Sequence, residues 1–279
     1  MPDSPNTIVM VHGLWVTPLC WEHWVTRYNA RGYEVITPAW PGLDGDVADL
    51  RRDTSAFEKL GVTEIADHYE GLIRQLERPP IIMGHSFGGL LTQILLDRGL
   101  GAVGVSIDPA PVKGVLILPF PQLRVAWVAL QNPANRHRAQ MLTHKQFHYA
   151  FTNNLSEDES RPVYERYCVP GPGRVLFQAG LANFNPNAAT KVDLRKNNRA
   201  PLLLIGGGHD HTVPASTTRA VHKLYRHSSA KTEYKEYPTR SHFTIGEPGW
   251  EELADHALSW ATENARTPAE AGAEAAGAS

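Results

Sequence analysis

The sequence predicts an α/β fold: a doubly wound, mainly parallel sheet of about six strands, covered by helices and carrying an inserted helical cap. Two observations lead there. Four short runs, TIVMV (7–11), PIIM (80–83), AVGVSI (102–107) and PLLLI (201–205), are apolar without alternation. Such strands belong to parallel sheets buried on both faces, whereas a strand with one wet face alternates. Between the runs lie segments with apolar residues at helical spacing, and alternating strands and helices imply right-handed crossovers.

Two further segments, YEVITPAW (33–40) and KTEYKEYP (231–238), are more polar and belong nearer the sheet edges. Among the helices, Ile65, Tyr69, Leu72, Ile73 and Leu76 share one face. Leu90, Leu91, Ile94 and Leu95 form a second face, which Gly99 is placed to stop. Trp250, Leu253, Ala254, Ala257, Leu258 and Ala261 form a third. One stretch does not fit this alternation. Between Asp108 and Pro201 lie more than ninety residues without a clear parallel strand, but with helix-like patches such as NRHRAQMLTHKQFHYAF. A connection that long inside a compact domain is usually functional, often a lid. The expected organisation is therefore a core of 1–109 and 200–264, an inserted cap at 110–199, and a disordered tail at 265–279 whose small, repetitive residues lack apolar periodicity.

Composition narrows the classes of partner. The 279 residues carry 27 basic and 29 acidic side chains, a formal net charge of -2. That balance gives no electrostatic reason to expect nucleic acid or an anionic membrane. The two cysteines, Cys20 and Cys168, lack metal-ligand spacing; free thiols in a reducing compartment are expected, with a disulfide as the alternative. The opening MPDSPNTIVMVHG has no basic segment before an apolar core, so no signal peptide is expected. The apolar stretch GVLILPFPQLRVAWVAL is broken by Pro119, Pro121 and Arg124, which argues against a membrane span. A cytoplasmic protein with neither nucleic acid nor membrane as partner is the expectation, its oligomeric state open.

The chemistry is carried by IIMGHSFGG (81–89). Gly84-His85-Ser86-Phe87-Gly88 matches G-x-S-x-G between a buried strand and a helix, the context of a nucleophile elbow. A tight strand-to-helix turn leaves no room for side chains two residues either side of the serine, which Gly84 and Gly88 provide for. Gly89 lets the helix approach the sheet. The helix also presents its N-terminus near Ser86, where its dipole favours developing negative charge. Here the chain resembles the α/β-hydrolase superfamily, in particular its serine esterases and lipases with a helical cap.

The resemblance implies the order nucleophile, acid, histidine. PLLLIGGGHDHTVP ends a strand with glycines and Asp210, similar to the family's acid loop, and YPTRSHFTI carries His242 before the last helix. Asp108, in SIDPAP, is the rival acid, since some family members place theirs there. His209 and His211 flank Asp210 in a string that suggests a metal site, but adjacent loop positions rarely converge on one ion, so neither metal nor cofactor is expected. MVHGLW resembles the family's oxyanion loop, which makes the backbone N–H groups of Leu14 and Phe87 the oxyanion donors. His12 is read as holding that loop by hydrogen bonding, with an ordinary turn histidine as the alternative. The likeness runs from residue 7 to about 262. It departs at the start, because Thr7–Val11 corresponds to the family's third strand and the usual leading antiparallel hairpin is missing.

The main functional expectation is a serine hydrolase that cleaves carboxylic esters through an acyl-enzyme. A serine nucleophile argues against dehalogenases and epoxide hydrolases of this fold, which use aspartate. Phe243 stands where its hydroxynitrile lyases have lysine. Lactone opening, perhydrolysis, a biosynthetic cyclisation or carbon–carbon reaction, and a hydrolase-like ligand receptor remain as alternatives. Trp15, Phe87 and Phe243 are tied by sequence to the catalytic loops, so they are the expected substrate-binding residues, and neutral, apolar or aromatic esters the expected substrates.

Overall fold

The computed structural model describes residues 5–266. Its centre is a six-stranded sheet built from β1 (Thr7–Val11), β2 (Glu34–Ile36), β3 (Ile81–His85), β4 (Val103–Ile107), β7 (Leu202–Gly207) and β8 (Thr232–Tyr237). The strand order is β2-β1-β3-β4-β7-β8 and every pairing is parallel. The four apolar runs form the interior of the sheet, and the two polar ones are its edges. Hydropathy decides this directly: β3, β4 and β7 are buried at every residue, while β8 alternates between covered and open positions. Strand order reverses between β1 and β3, and open parallel sheets bind ligands outside the carboxyl ends at such a switch point.

Helices cover both faces. α1 (Glu22–Asn29) lies against α10 (Trp250–Asn264), joined by the Tyr28 hydroxyl donating to Ala254 O at 2.7 Å and by a bidentate Arg27–Asp255 pair. After the short α2 (Val47–Arg52), α3 (Val62–Ile73) and α4 (Phe87–Asp97) make the second layer with α9 (Ala215–Leu224). α3 buries Ile65, Tyr69 and Ile73 as its periodicity predicts. α4 is buried on nearly every side, and it stops where the sequence places its stop. Gly99 has φ +78, with Gly99 N donating to Leu96 O and Leu100 N to Leu95 O, a Schellman closure.

The long stretch between β4 and β7 contains α5 (Phe120–Leu130), α6 (His144–Ala150), α7 (Glu157–Tyr167) and α8 (Gly173–Gly180), with two-residue strands β5 (Ala139–Gln140) and β6 (Gly171–Pro172) paired antiparallel. NRHRAQMLTHKQFHYAF is only partly helical: β5 interrupts it, and α6 starts anew at a capping box between Thr143 and Gln146. α5 begins at Pro119 and Pro121, where a helix start has no need of their missing N–H groups. Among the described residues no helix is long and apolar enough to cross a membrane. Cys20 and Cys168 are free and buried.

The disordered tail expected at 265–279 is corrected at its start. Arg266 N donates to Ala102 O at 3.0 Å, and its guanidinium donates to Arg199 O, so Ala265 and Arg266 remain attached to the sheet end. The rest of that segment lies outside the described residues.

Close backbone approach fixes the turn between β3 and α4. A Cβ on Gly88 would sit 2.0 Å from Val11 O, and one on Gly84 would sit 2.1 Å from Gly88 O. Both obstacles are main chain and cannot swing away. Gly88→Ala is therefore expected to cost about 3 kcal/mol or more, or to prevent accumulation of folded protein. Gly71→Ala, on α3 with nothing within 4 Å of the added methyl, should instead raise stability by about 0.5–1 kcal/mol. Thermal unfolding of both variants checks the contrast.

Candidate active site

β1 and β3 are neighbours in the sheet, so the loops at their carboxyl ends meet. Ser86 caps α4 with φ 58 and ψ -121, a positive-φ conformation that only close packing holds a non-glycine residue in. It is held on both sides: Ser86 N donates to Ile107 O at 2.9 Å, and Ser86 O accepts from Gly89 N and Ala110 N. The loop after β1 lies directly over it. A Cβ on Gly13 would be 2.9 Å from Ser86 Cβ and 3.4 Å from Ser86 Oγ. The next N–H along is that of Leu14, and Phe87 opens α4, where an N–H has no acceptor within the helix.

His12 secures this loop. Trp40 N donates to its Nε2 at 3.1 Å, so the ring proton sits on Nδ1, which donates to Gly13 O at 2.9 Å. Burial pushes its pKa down to about 4, and the ring is neutral. Trp15, with φ 67, is clamped from the inserted segment: its Nε1 donates to Gln140 O at 2.9 Å, and Val169 N donates to Trp15 O at 2.9 Å.

The loops that follow β7 and β8 meet at Asp210 and His242. His242 Nδ1 and Asp210 Oδ2 are 2.6 Å apart, and both side chains are fully buried. Oδ1 of Asp210 accepts from Thr212 N at 2.6 Å and Val213 N at 2.7 Å, so the carboxylate is oriented at both oxygens. His242 Nε2 is buried and has no hydrogen-bond partner. The ring stands edge-on to Phe151, 4.8 Å between centroids. Glu247, itself buried, holds the loop by accepting from Ser241 N at 3.0 Å and Ser241 Oγ at 2.6 Å. Neither Phe151 nor Glu247 stands out in the sequence: Phe151 acts across the fold, and Glu247, six residues beyond Ser241, lies in an irregular segment that no periodic pattern marks. Asp108, the rival acid, is beside the same histidine. Its Oδ1 accepts from Gly207 N at 2.6 Å and its Oδ2 is unpartnered, with burial first and the Asp210 charge second raising its pKa well above the carboxylate range.

His209 and His211 turn apart: His209 Nδ1 meets Asn154 Oδ1 at 3.1 Å, and His211 Nδ1 meets Tyr149 O at 2.9 Å. The described residues that come together as possible metal donors are His85, Asp108 and His242, within 4.8 Å of one another. With His242 Nδ1 joined to Asp210 and burial pushing the Asp108 carboxyl towards its neutral form, that set is suited to hydrogen bonding rather than to a cation.

Ser86 opens into a cavity of about 500 Å³ lined by Trp15, Phe87, Leu116, Val125, Leu176 and other apolar groups. Its described lining includes no acidic or basic side chain. Of the three expected substrate-binding residues, Trp15 and Phe87 face this space. Phe243 does not: it packs on Tyr167, 5.9 Å between centroids, and closes over Gly246, because the turn that delivers His242 rotates the following side chain into the core. A wider cleft of about 720 Å³, bordered by Arg136 and Arg174, shares Phe184 with the cavity and excludes Ser86.

The sequence profile of the alpha/beta hydrolase family matches residues 8–256. The chain belongs to that family. Solved structures agree on the fold. A Paleococcus ferrophilus monoacylglycerol lipase aligns with TM-score 0.66 and 18% identity, covering 94% of this chain and 97% of its own. An extracellular alpha/beta-hydrolase from a Paenibacillus species gives TM-score 0.66 and 18% identity, over 94% of this chain and 100% of its own. A pyrethroid hydrolase from Sphingobium faniae gives 0.62 and 19%, over 92% and 98%.

The neutral state of buried His12 has a measurable consequence in this hydrolase. Its folded pKa of about 4 lies below the 6.5 of a free imidazole, so the unfolded chain takes up the proton first. Stability present above pH 6.5 is lost as the pH falls towards 4, by roughly 3 kcal/mol from this residue. Denaturant unfolding of His12→Gln across that range should show a flatter pH dependence than the parent, with His85, also depressed by burial, retaining part of the slope. Identical slopes would mean that His12 is not buried as a neutral ring.

Proposed function

We propose that this alpha/beta hydrolase is a serine-dependent carboxylic-ester hydrolase acting on neutral, apolar or aromatic small molecules. The observation that carries the reading is a strained serine opening into an uncharged apolar cavity, beside a buried histidine–aspartate pair. Three chemically different needs of acyl transfer converge there.

In this reading Ser86 Oγ attacks the acyl carbon and His242 Nε2 takes the hydroxyl proton. Asp210 keeps the proton of Nδ1 in place and stabilises the imidazolium. The N–H groups of Leu14 and Phe87 receive the developing oxyanion, helped by the N-terminus of α4. As the intermediate collapses, His242 returns the proton to the departing alkoxide, and water then releases the acid by the same steps in reverse roles. Residues 110–199 act as the cap between core segments 1–109 and 200–264, supplying most of the acyl cavity through α5, α8 and the segments that flank them. The lipase and the pyrethroid hydrolase among the structural neighbours are named for related chemistry. We place the protein in the cytoplasm, with a small-molecule ester as its partner.

Ser86→Ala and His242→Ala should each lower kcat/KM on p-nitrophenyl esters by at least about 10³-fold, with intact thermal unfolding and no further loss in the double variant. Losses that multiply in the double variant would break the shared mechanism. Chelators should leave activity unchanged; loss with EDTA and recovery with zinc would reinstate a metal. Across a panel of short, medium, aromatic and charged acyl esters, neutral apolar groups should be preferred, and a charged preference would refute the apolar cavity as the acyl site.

A further inference from the structure

The cavity in front of Ser86 is apolar, and the hydrogen bonds of the few polar side chains on its wall can be followed one by one. Those side chains are Trp15, Ser86, Gln122, Asn183 and Thr212. Trp15 has its indole N–H committed to Gln140 O at 2.9 Å. The Thr212 hydroxyl donates to Ala150 O at 2.7 Å. Asn183 is exposed and closes a turn of the inserted segment with both ends of its amide: Oδ1 accepts from Gly114 N at 2.8 Å, and Nδ2 donates to Val115 O at 2.7 Å. Ser86 is the proposed nucleophile. Gln122 remains.

Gln122 is the third residue of α5, behind the N-cap Pro119. A glutamine at that position commonly turns back to accept from the N-cap N–H, but proline has none. The side chain reaches across to α9 instead, where Thr217 Oγ1 lies 2.9 Å from Gln122 Oε1. Burial settles which way the amide faces. Thr217 is wholly buried, and its hydroxyl has no other acceptor among the described residues, so it donates and the amide oxygen receives. Both N–H groups of Nε2 are thereby left without a protein acceptor, on a half-buried residue that lines the cavity. The bond to α9, the helix that follows the Asp210 loop, fixes where this donor stands. A wholly hydrocarbon ligand filling the cavity would strip water from the donor and return nothing, so the donor selects against such a ligand.

We propose that Gln122 is a specificity-determining residue whose Nε2 donates to an acceptor oxygen that the substrate carries away from the ester being cleaved. The substrate class narrows accordingly, to apolar esters with one further carbonyl or ether oxygen in the part that fills the cavity. A neutral donor matches a neutral acceptor, in keeping with a lining that includes no acidic or basic side chain. The inference deepens the ester-hydrolase reading and rests on it.

The test uses phenyl esters, whose leaving group has no acceptor of its own. Esters of keto acids of graded chain length are compared with the same chains bearing a methylidene group in place of the ketone oxygen, with Ser86→Ala as the blank. At the best length the parent should hydrolyse the keto ester with kcat/KM about threefold to tenfold above its methylidene partner, the advantage of one neutral hydrogen bond. Gln122→Leu, which keeps the bulk and removes the donor, should bring that ratio to about one. Gln122→Glu should invert the preference at alkaline pH, because an ionised carboxylate only accepts. Thr217→Val, which releases the amide from α9, should lower the ratio although Gln122 itself is intact. Each ratio is read within one variant, so a loss of folded protein cancels. A Gln122 that only packs α5 would lower both rates together and leave the ratio unchanged. A parent ratio near one at every length, or a ratio retained in Gln122→Leu, would overturn the inference and leave the ester hydrolase standing. Hydrolysis of neither series above the Ser86→Ala blank would overturn the ester-hydrolase reading and the inference with it.

Discussion

Everything in this molecule depends on how closely two pieces of main chain approach at the end of β3. The α carbon of Gly88 faces the carbonyl of Val11 on the neighbouring strand, and Gly84 faces the carbonyl of Gly88 across the turn. That contact holds α4 against β1, forces Ser86 into positive φ, and leaves its hydroxyl under the loop that starts at His12. The strain at one residue is small against the buried apolar residues of α4 and the four inner strands, which over-determine the turn. A reactive side chain is thereby presented rigidly on a short turn.

The inserted segment between β4 and β7 does more than roof the sheet. Val169 and Gln140 fasten the Trp15 loop, while the end of α6 fastens the other two. Ala150 O accepts from Thr212 Oγ1 at 2.7 Å beside Asp210, and Phe151 O accepts from Phe243 N at 2.9 Å beside His242. Loops from three strands, β1, β7 and β8, are thus tied to one another through one insertion. A substitution deep in that insertion can shift the loops of Asp210, His242 and Trp15 together, so in the proposed reaction changes in selectivity and in rate are physically coupled.

Charge is managed by desolvation. His12 and His85 are buried and depressed, hence neutral hydrogen-bonding spacers, although each lies within two residues of a loop proposed to do chemistry. Asp108 is buried and raised, so the centre holds fewer charges than its residue types suggest. A low-dielectric surround strengthens the hydrogen bond between the Asp210 carboxyl and the imidazole of His242.

How much of this was legible in the sequence differs by residue. The inner strands, the edge strands and the stop at Gly99 follow from local hydropathy and from the one residue type that adopts positive φ freely, which a sequence displays residue by residue. So do Ser86 and its flanking glycines, because the turn's steric demand is met within five positions. The choice of Asp210 over Asp108 was only favoured by the loop's resemblance; its geometric basis is the 2.6 Å approach of His242, which the packing of β8 on β7 delivers. Phe243 was misplaced as a pocket residue for the same reason: its neighbour's position in the chain says nothing about which way the turn rotates it. Phe151, Glu247 and His85 act across separations in sequence of more than ninety residues, of six, and of more than one hundred and fifty. Patterns short enough to read along the chain fixed the architecture and the nucleophile. Partnerships between loops arise only when the sheet sets their strands side by side, so the pairing of Asp210 with His242, the cavity wall and the burial of Asp108 were decided by the tertiary structure.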